Sequence, residues 1–522
     1  MRGLDLMNTI SRYFFLGLTG MAGIAVVIVA GYFLVYKKLL KGQKKLGIGR
    51  LVWLILFLCY LLMLGSVTLL SRGNSYMSVR YPLFYSYREA WYSFSAQDWR
   101  NLILNIVMFV PLGFLVPTGI RKMRKFWKTT VCGLMITILI ELTQQLSQRG
   151  VFEWDDVLNN TVGAMIGYGL FIVVYAIFIK LKSAKSGAGK PMESEQKIST
   201  KTVIGCQMPL MITCIFFATV FGVYQHQELG NLSAKFSTAF RKNSLTVTTD
   251  QKYSEREQVV QVYQLTQMNR AESEAYAEKF FADLGEKLDK NQTIYYEDTG
   301  VFYAEDGNTL WLDYAGLTWN YTDFAILYPE DEVVAENNDI SEQEQAGTDA
   351  FSEETSEERT TSLDSNHITE EVPQLVTDAS EETIRTALQT YGITVPEGCT
   401  FSSDGEGNYT FTANQIKTDS GMYDGSIDCA YYSNGKMGTV WNRMIKCAGY
   451  KDFEIISEQE AYEKIADGKF RLWTDDSDTY DIRVGKVSLV YEKDSKDFYQ
   501  PEYRFRVTIN GTDNSIYIPA LK

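Results

Sequence analysis

The chain has 522 residues and a formal net charge of −14. Residues 1–224 hold 24 Lys and Arg against 9 Asp and Glu, and residues 225–522 hold the other 26 and 55, which gives net charges of +15 and −29. The length predicts several domains, and the strongly acidic half argues against nucleic acid as its partner.

Six apolar segments are long enough to cross a hydrocarbon core of about 30 Å at about 20 residues each. They are residues 14–36, 51–70, 101–120, 129–147, 159–180 and 203–224. The first segment is followed by the lysine-rich run Lys37–Lys45 instead of a small-residue cleavage site, so it is predicted to be a retained helix. We therefore predict a multi-pass protein of the cell membrane, with a six-helix α-helical domain over residues 1–224.

The connecting segments predict the orientation of these helices. Segments 37–50, 121–128 and 180–201 are rich in Lys and Arg, whereas segment 71–100 is mixed and segment 148–158 is acidic. Basic segments stay in the cytoplasm by the positive-inside rule. The N-terminus and residues 225–522 are therefore predicted to be extracytoplasmic.

The polar residues of the membrane half are concentrated between Glu141 and Gly167 and near Asn105. Polar side chains close to hydrocarbon cost several kcal/mol unless they are paired, which makes them functional candidates. All lie on the predicted extracytoplasmic side, where three helices could form one polar pocket. The candidate ligand-binding residues are Asn105, Glu141, Gln145, Arg149, Asp156, Asn160 and Thr161.

A plainer interpretation of the same residues remains open. Asp155 or Asp156 could cap a helix, and Glu141 and Arg149 could lie at the membrane interface. Gly163 and Gly167 form a G-x-x-x-G face that predicts close approach of a neighbouring helix. Pro111 and Pro117 predict kinks in the third span.

The acidic half is predicted to form two α+β domains, residues 225–329 and 376–522, joined by a linker over 330–375. Within that linker, residues 330–372 hold fifteen Asp and Glu against one Arg, which predicts a flexible spacer. Ser457 and Glu460 have the spacing of a helix capping box, and the strand-like runs that end the chain predict an antiparallel meander. A Cys399–Cys429 disulfide is left open by the spacing.

The membrane segment resembles the VanZ-like proteins, a family named for a glycopeptide (teicoplanin) resistance determinant. The resemblance covers residues 50–180 and rests on these residues: Asn105, Phe109, Pro111, Leu112, Gly113, Phe114, Glu141, Gln145 or Gln144, Arg149, Asp156, Asn160, Thr161, Gly163, Ala164 and Gly167. A looser resemblance links the C-terminal region to PepSY or two-component-regulator-associated exterior domains of Gram-positive bacteria.

The residue types limit the chemistry that this site could perform. The chain has two histidines, His226 and His367, which argues against a histidine triad or a histidine zinc site. We expect no metal and no cofactor. Catalysis, if present, would rest on Glu141 or Asp156 as general base, with Arg149 holding an anionic group such as a lipid phosphate.

Three functional hypotheses follow. The first, implied by the VanZ-like resemblance, is binding of a membrane lipid or cell-wall precursor at the outer leaflet, with an influence on glycopeptide susceptibility. The second is a carboxylate-dependent envelope enzyme that acts on a lipid-linked substrate. The third is a membrane-anchored sensor whose acidic domains bind an extracytoplasmic protein partner.

Overall fold

The computed structural model describes residues 47–70, 82–185, 198–237, 244–328, 372–472 and 479–522, together with Gly23. Two compact units are present, one of residues 1–262 and 450–522 and one of residues 263–449. The chain leaves the first unit within one strand, Gln258–Leu265, and returns to it within another, Ile445–Ile455. Each unit therefore contains parts of both predicted α+β domains, whose boundaries at 224, 329 and 375 stay predictions.

Among the described residues, five helices are long and apolar enough to cross a membrane, and they correspond to the last five predicted spans. The first predicted span, 14–36, and residues 330–371 of the acidic linker lie outside the described residues. The helices of this half are α1 (Ile48–Gly65, continued by a π-helical turn at Ser66–Leu70), α2 (Tyr85–Ser93), α3 (Ala96–Gly119), α4 (Phe126–Leu146), α5 (Trp154–Lys185), α6 (Thr200–Gly205) and α7 (Met208–His226).

Helices α3 and α5 pack with their backbones in close contact. A Cβ atom added at Gly163 would lie 2.0 Å from the carbonyl oxygen of Ile106, and one added at Gly167 would lie 2.0 Å from that of Val110. The G-x-x-x-G prediction is therefore confirmed, and the neighbouring helix is α3. The structure keeps α3 as one helix through Pro111 and Pro117.

Helix α1 runs antiparallel to α3 and is fixed to its backbone at two levels. The indole Nε1 of Trp53 donates to the carbonyl of Leu115 at 2.8 Å, and the hydroxyl of Tyr60 donates to that of Met108 at 3.1 Å. These two hydrogen bonds join α1 to α3 on both sides of Pro111.

The remaining elements alternate between strands and short helices. In chain order they are β1 (Leu245–Thr249), β2 (Gln258–Leu265), α8 (Arg270–Asp283), β3 (Ile294–Tyr295), β4 (Thr299–Tyr303), β5 (Thr309–Asp313), β6 (Trp319–Thr322), α9 (Phe324–Leu327), α10 (Glu381–Thr390), β7 (Thr400–Ser403), β8 (Asn408–Thr418), β9 (Gly421–Tyr431), β10 (Met437–Asn442), β11 (Ile445–Ile455), α11 (Glu458–Ala466), β12 (Tyr480–Lys493), β13 (Phe498–Ile509) and β14 (Thr512–Pro519).

Residues 227–262 and 450–522, which we call the β-module, belong to the same unit as the membrane helices. Its strands β12, β13 and β14 form the predicted antiparallel meander, and β1 extends the sheet by pairing in parallel with β12. Helix α11 begins at the predicted capping box, in which Ser457 and Glu460 bond reciprocally. Ile465 of α11 belongs to the same buried core as Phe505 of β13, so the helix covers one face of the sheet.

The second unit is built on a sheet with the order β11-β9-β10-β6-β5-β4-β3, in which β8 also pairs with β9 and β7 with β8. Helices α8 and α10 contribute Phe281 and Leu388 to its core, together with Tyr409 and Phe411 from β8. All seven cysteines are free thiols, so the Cys399–Cys429 disulfide that the sequence left open is not formed.

Candidate functional site

Helices α1, α2, α3 and the start of α5 surround a cavity of about 700 Å³. One wall is apolar and comes from α1 and α3, and the other is polar and is made by α2, α3 and α5. The cavity is lined by Met63, Val67, Thr68, Ser86, Glu89, Asp98, Asn101, Leu102, Leu104, Asn105, Val107, Met108, Glu153 and Asp156. Its position between helices and its mixed lining are typical of ligand sites.

The polar wall is centred on a hydrogen bond between two predicted site residues. The Asn105 amide of α3 donates to the Asp156 carboxylate of α5. Asp156 is 7% exposed, so its carboxylate relies on protein donors for most of its solvation. Beside this pair, the Ser86 hydroxyl of α2 donates to the Glu153 carboxylate at 3.2 Å. Three helices thus converge on one polar surface, but they are α2, α3 and α5, whereas the sequence predicted the third, fourth and fifth spans.

Glu141 lies behind this wall and does not line the cavity. It is 1% exposed, and its carboxylate accepts a hydrogen bond from the backbone amide of Glu153 at 3.2 Å. This contact holds the α4–α5 connection against α4. Glu141 is therefore placed to fix the position of a cavity residue, and its predicted role in ligand binding stays a prediction.

The other predicted site residues do not line the cavity. The Asn160 amide donates to the Thr137 hydroxyl of α4 at 2.8 Å, and Thr161 bonds the carbonyl of Val157 in its own helix at 2.7 Å. Gln145 and Arg149 are half-buried. A ligand-binding role for these four residues stays a prediction.

The glutamine of α4 that faces the neighbouring helices is Gln144. In the family pattern, Gln144 is the alternative to Gln145. Gln144 is 1% exposed, and its side-chain amide donates to the carbonyl of Thr68 at 2.8 Å. Thr68 itself lines the cavity. Because a helix places neighbouring residues about 100° apart, Gln144 and Gln145 cannot face the same neighbour, and only packing decides which one faces inward.

Asp155 caps a helix, but the helix is not its own. Its carboxylate accepts hydrogen bonds from the backbone amides of Phe84 at 2.5 Å and Ser86 at 2.8 Å, at the start of α2. A carboxylate at a helix N-terminus is favourable because the amides there have no intrahelical partner and carry partial positive charge. Asp155 thus caps a helix that the sequence did not predict, instead of the fifth span, at whose start it lies.

A second contact holds α2 against α5. The Tyr87 hydroxyl donates to the side-chain oxygen of Asn159, which is fully buried. Burial, reinforced by the charge of Asp155, raises the pKa of Tyr87 to about 12, so this hydroxyl remains a donor at neutral pH. The Tyr87–Asn159 hydrogen bond therefore joins α2 to α5.

The sequence missed α2 and with it two cavity residues, Ser86 and Glu89. The segment has no apolar periodicity, and its helix is only 9 residues long. Helices of that length depend on tertiary contacts for their stability. A usable signal was the charged pair Arg88 and Glu89 within an aromatic segment next to a membrane span.

The lining has a strong acidic bias. It contains the carboxylates of Glu89, Asp98, Glu153 and Asp156, whereas no lysine or arginine occurs among the described lining residues. The described part of the chain contains no group of three or more His, Cys, Asp or Glu residues arranged to hold a metal ion. The site is therefore rich in hydrogen-bond acceptors, and its acid–base chemistry would rest on carboxylates.

Comparison with known proteins identifies the membrane segment. Residues 51–177 match the VanZ/LLP1 family model, so the chain contains a VanZ-like domain and is a multi-pass membrane protein. The VanZ-like resemblance is confirmed, whereas the PepSY-like resemblance is not. No curated protein matches the chain.

One of the solved structures to which the chain is similar is itself uncharacterized. The crystal structure of an uncharacterized protein from Eubacterium rectale ATCC 33656 is 10% identical to this chain, with a TM-score of 0.24. The match covers 53% of this chain and 88% of that protein.

Proposed function

We propose that the VanZ-like domain binds an envelope lipid or a lipid-linked cell-wall precursor in the cavity between α1, α2, α3 and α5. The observation that carries this proposal is the amphipathic lining of the cavity, in which the Asn105–Asp156 pair faces an apolar wall. By the positive-inside rule this end of the helices lies at the outer leaflet. The match to the VanZ/LLP1 family supports an effect on glycopeptide susceptibility.

The apolar wall suits an acyl or polyprenyl chain. Met63, Val67, Leu104 and Val107 line the cavity and are each exposed by 50–53%. They belong to helices of membrane-spanning length, so their exposed surface would face lipid. A lipid tail could therefore enter the cavity from the side without leaving an apolar environment.

The polar wall selects the ligand's head group. Carboxylates and amide oxygens accept hydrogen bonds, so they favour hydroxyl, amide and ammonium groups. A phosphate placed directly against Asp156 and Glu153 would be repelled, because like charges in a poorly solvated site destabilise each other. The ligand would thus present its donors to this wall and keep any phosphate at the cavity mouth.

Substitution of the central carboxylate tests the proposal. Asp156→Asn keeps the size of the side chain but removes the charge, and Asp156→Ala removes the hydrogen bond to Asn105 as well. At matched expression, both variants and Glu141→Gln should reduce the effect of the protein on glycopeptide susceptibility. Asp250→Asn, which changes an exposed carboxylate of the β-module, is the control.

A binding measurement separates this function from the alternatives. Purified protein in nanodiscs is incubated with a labelled polyprenyl-linked cell-wall precursor, and bound label and reaction products are both measured. Binding that Asp156→Asn weakens about tenfold or more would support the proposal. Unchanged susceptibility and unchanged binding in the Asp156 variants would refute it, and product formation would indicate an enzyme instead.

A further inference from the structure

We infer that Arg471 of the β-module is a positioning residue for the membrane cavity. Its guanidinium forms an ion pair with Glu89 of α2, with 2.6 Å between Nη2 and Oε1. Glu89 in turn lines the cavity. The cavity's role as a ligand site rests on the proposed function, whereas the positioning of α2 can be measured without any ligand.

Arg471 is held in place by the β-module itself. Its side chain is 7% exposed, its guanidinium lies 5.3 Å from the centre of the Phe236 ring, and Nη1 reaches the carbonyl of Ser233 at 3.5 Å. Arg88 of α2 lies over the same ring at 4.8 Å. The guanidinium is thus pre-oriented toward α2, and removing its carboxylate partner would leave a buried positive charge.

Helix α2 lies between the β-module and the membrane helices and is held from both sides. Asp155 binds the amides at its start, and Tyr87 bonds Asn159 of α5. From the other side, besides Arg471, the Asn231 amide donates to the carbonyl of Trp91 at 2.7 Å. Since a nine-residue helix is not stable alone, these contacts determine where α2 and its cavity residues lie.

The β-module is also fastened to the end of the last membrane helix. Within the β-module, Asp494 in the turn between β12 and β13 is 4% exposed and accepts hydrogen bonds from the Gln500 amide and, at 2.7 Å, from the backbone amide of Gly230 in the segment that follows α7. The Tyr224 hydroxyl of α7 donates to the carbonyl of Ser495 at 2.9 Å. A movement of the β12–β13 hairpin would therefore also move α7 and α2, because hydrogen bonds and an ion pair join the β-module to both helices.

The consequence is a ligand site that depends on the C-terminal part of the chain. The VanZ-like match ends at residue 177, yet one contact that positions a cavity residue comes from residue 471. A partner or ligand that shifts the β-module would change the position of Glu89 and so the cavity's affinity, since coupling between sites requires such a shared structural element.

Hydrogen exchange of the full chain in phosphatidylglycerol/phosphatidylethanolamine nanodiscs tests the positioning role. Peptides that cover residues 82–95 should exchange about tenfold faster in Arg471→Ala and in Glu89→Gln, with no further increase in the double variant. Arg471→Lys should retain part of the protection. Arg483→Ala, which removes an exposed ion pair with Asp250 elsewhere in the β-module, should leave this exchange unchanged.

Two results of the exchange experiment would overturn the inference. One is wild-type exchange of α2 in both single variants. The other is faster exchange that spreads over β12 and β13 in Arg471→Ala while Glu89→Gln has no effect, which would mean that Arg471 only stabilises the β-module. Glu89→Gln distinguishes positioning from loss of β-module stability, because Glu89 lies in α2 and outside the β-module.

A susceptibility measurement with the same variants extends the test to function. Arg471→Ala and Glu89→Gln should weaken the effect on glycopeptide susceptibility by similar factors, and Arg471→Lys should retain part of it. Unchanged susceptibility in these variants, alongside a loss in Asp156→Asn, would refute positioning. If Asp156→Asn also has no effect, the proposed function fails while the exchange result still decides whether Arg471 positions α2.

Discussion

Replacing Gly163 by Ala should disrupt the contact between α3 and α5 on which the cavity depends. The added Cβ would lie 2.0 Å from the Ile106 carbonyl oxygen and 3.1 Å from the Phe109 Cβ, whereas ordinary contacts begin at 3.4 Å. The first contact is with backbone, which cannot rotate away. The helices would therefore have to separate by more than about 1 Å at this point.

The expected cost follows from the size of this clash. Overpacking a close interface costs about 1–3 kcal/mol, and occasionally more. Gly163 should lie at the upper end, because Gly167 makes an equally short contact one turn further along the same interface. About 3 kcal/mol corresponds to a fall in Tm of roughly 5 °C for a unit of this size. Separation at Ile106 would also stretch the adjacent Asn105–Asp156 hydrogen bond.

Thermal unfolding in detergent, followed by circular dichroism, measures this effect against a matched control. Gly222 lies in α7, and a Cβ added there would meet nothing within 4 Å. Gly222→Ala should unfold at or slightly above the wild-type temperature, because Ala favours helix over Gly. Equal Tm values for Gly163→Ala and Gly222→Ala would refute the inference that the α3–α5 contact is limited by backbone approach.

Three further changes test individual contacts. Burial, with a smaller contribution from Glu492, raises the pKa of Glu502 from its ordinary 4.5 to about 8, so the folded protein keeps a proton there that the unfolded chain has lost. The stability of the β-module should therefore fall as pH rises from about 4.5 to about 8, by at most about 5 kcal/mol, and Glu502→Gln should flatten this dependence in a pH series of Tm values. Asp155→Ala removes the acceptor at the start of α2 and should cost about 1–2 kcal/mol, with faster hydrogen exchange in α2. Ser457→Ala removes the cap of α11 and should cost about 1 kcal/mol in denaturant unfolding.

Each of these changes has an outcome that would contradict its physical reason. An unaltered pH slope in Glu502→Gln would mean that the carboxyl does not hold the extra proton. Wild-type exchange of α2 in Asp155→Ala would mean that the helix does not need its cap. For Ser457→Ala, the control is Ser488→Ala at an exposed position of β12, and equal stability of the two variants would show that the capping box contributes little.

Several features of the site could be predicted because they depend on short stretches of sequence. The placement of Asn105 and Asp156 at the same end of the helices was predictable, since both lie at the predicted extracytoplasmic end of their apolar segments, the third and the fifth. The approach of α3 to α5 was predictable from Gly163 and Gly167, which remove side chains from one helix face. The cap of α11 was predictable from Ser457 and its partner three residues later.

Other features depended on contacts between distant residues. Gln144 faces inward and Gln145 does not, although both fit the same pattern, because the rotation of α4 is set by the helices around it. Asp155 caps the start of α2 at Phe84, which lies 71 positions earlier in the chain. Glu89 pairs with Arg471, which lies 382 positions later. In both contacts, the sequence around one partner gives no indication of which distant residue it will meet.

The amino-acid sequence by itself determined that the protein is a multi-pass membrane protein, which of the described segments are long and apolar enough to cross a membrane, and where polar groups collect at one end of them. Apolar length and charge are sums over neighbouring residues, so these properties need no knowledge of packing. Tertiary structure alone decided that a short helix between two spans forms part of the cavity, and that the C-terminal β-module holds this helix in place. Such an arrangement arises from side chains brought together only when distant segments fold against each other, and its stability comes from those contacts rather than from local propensity.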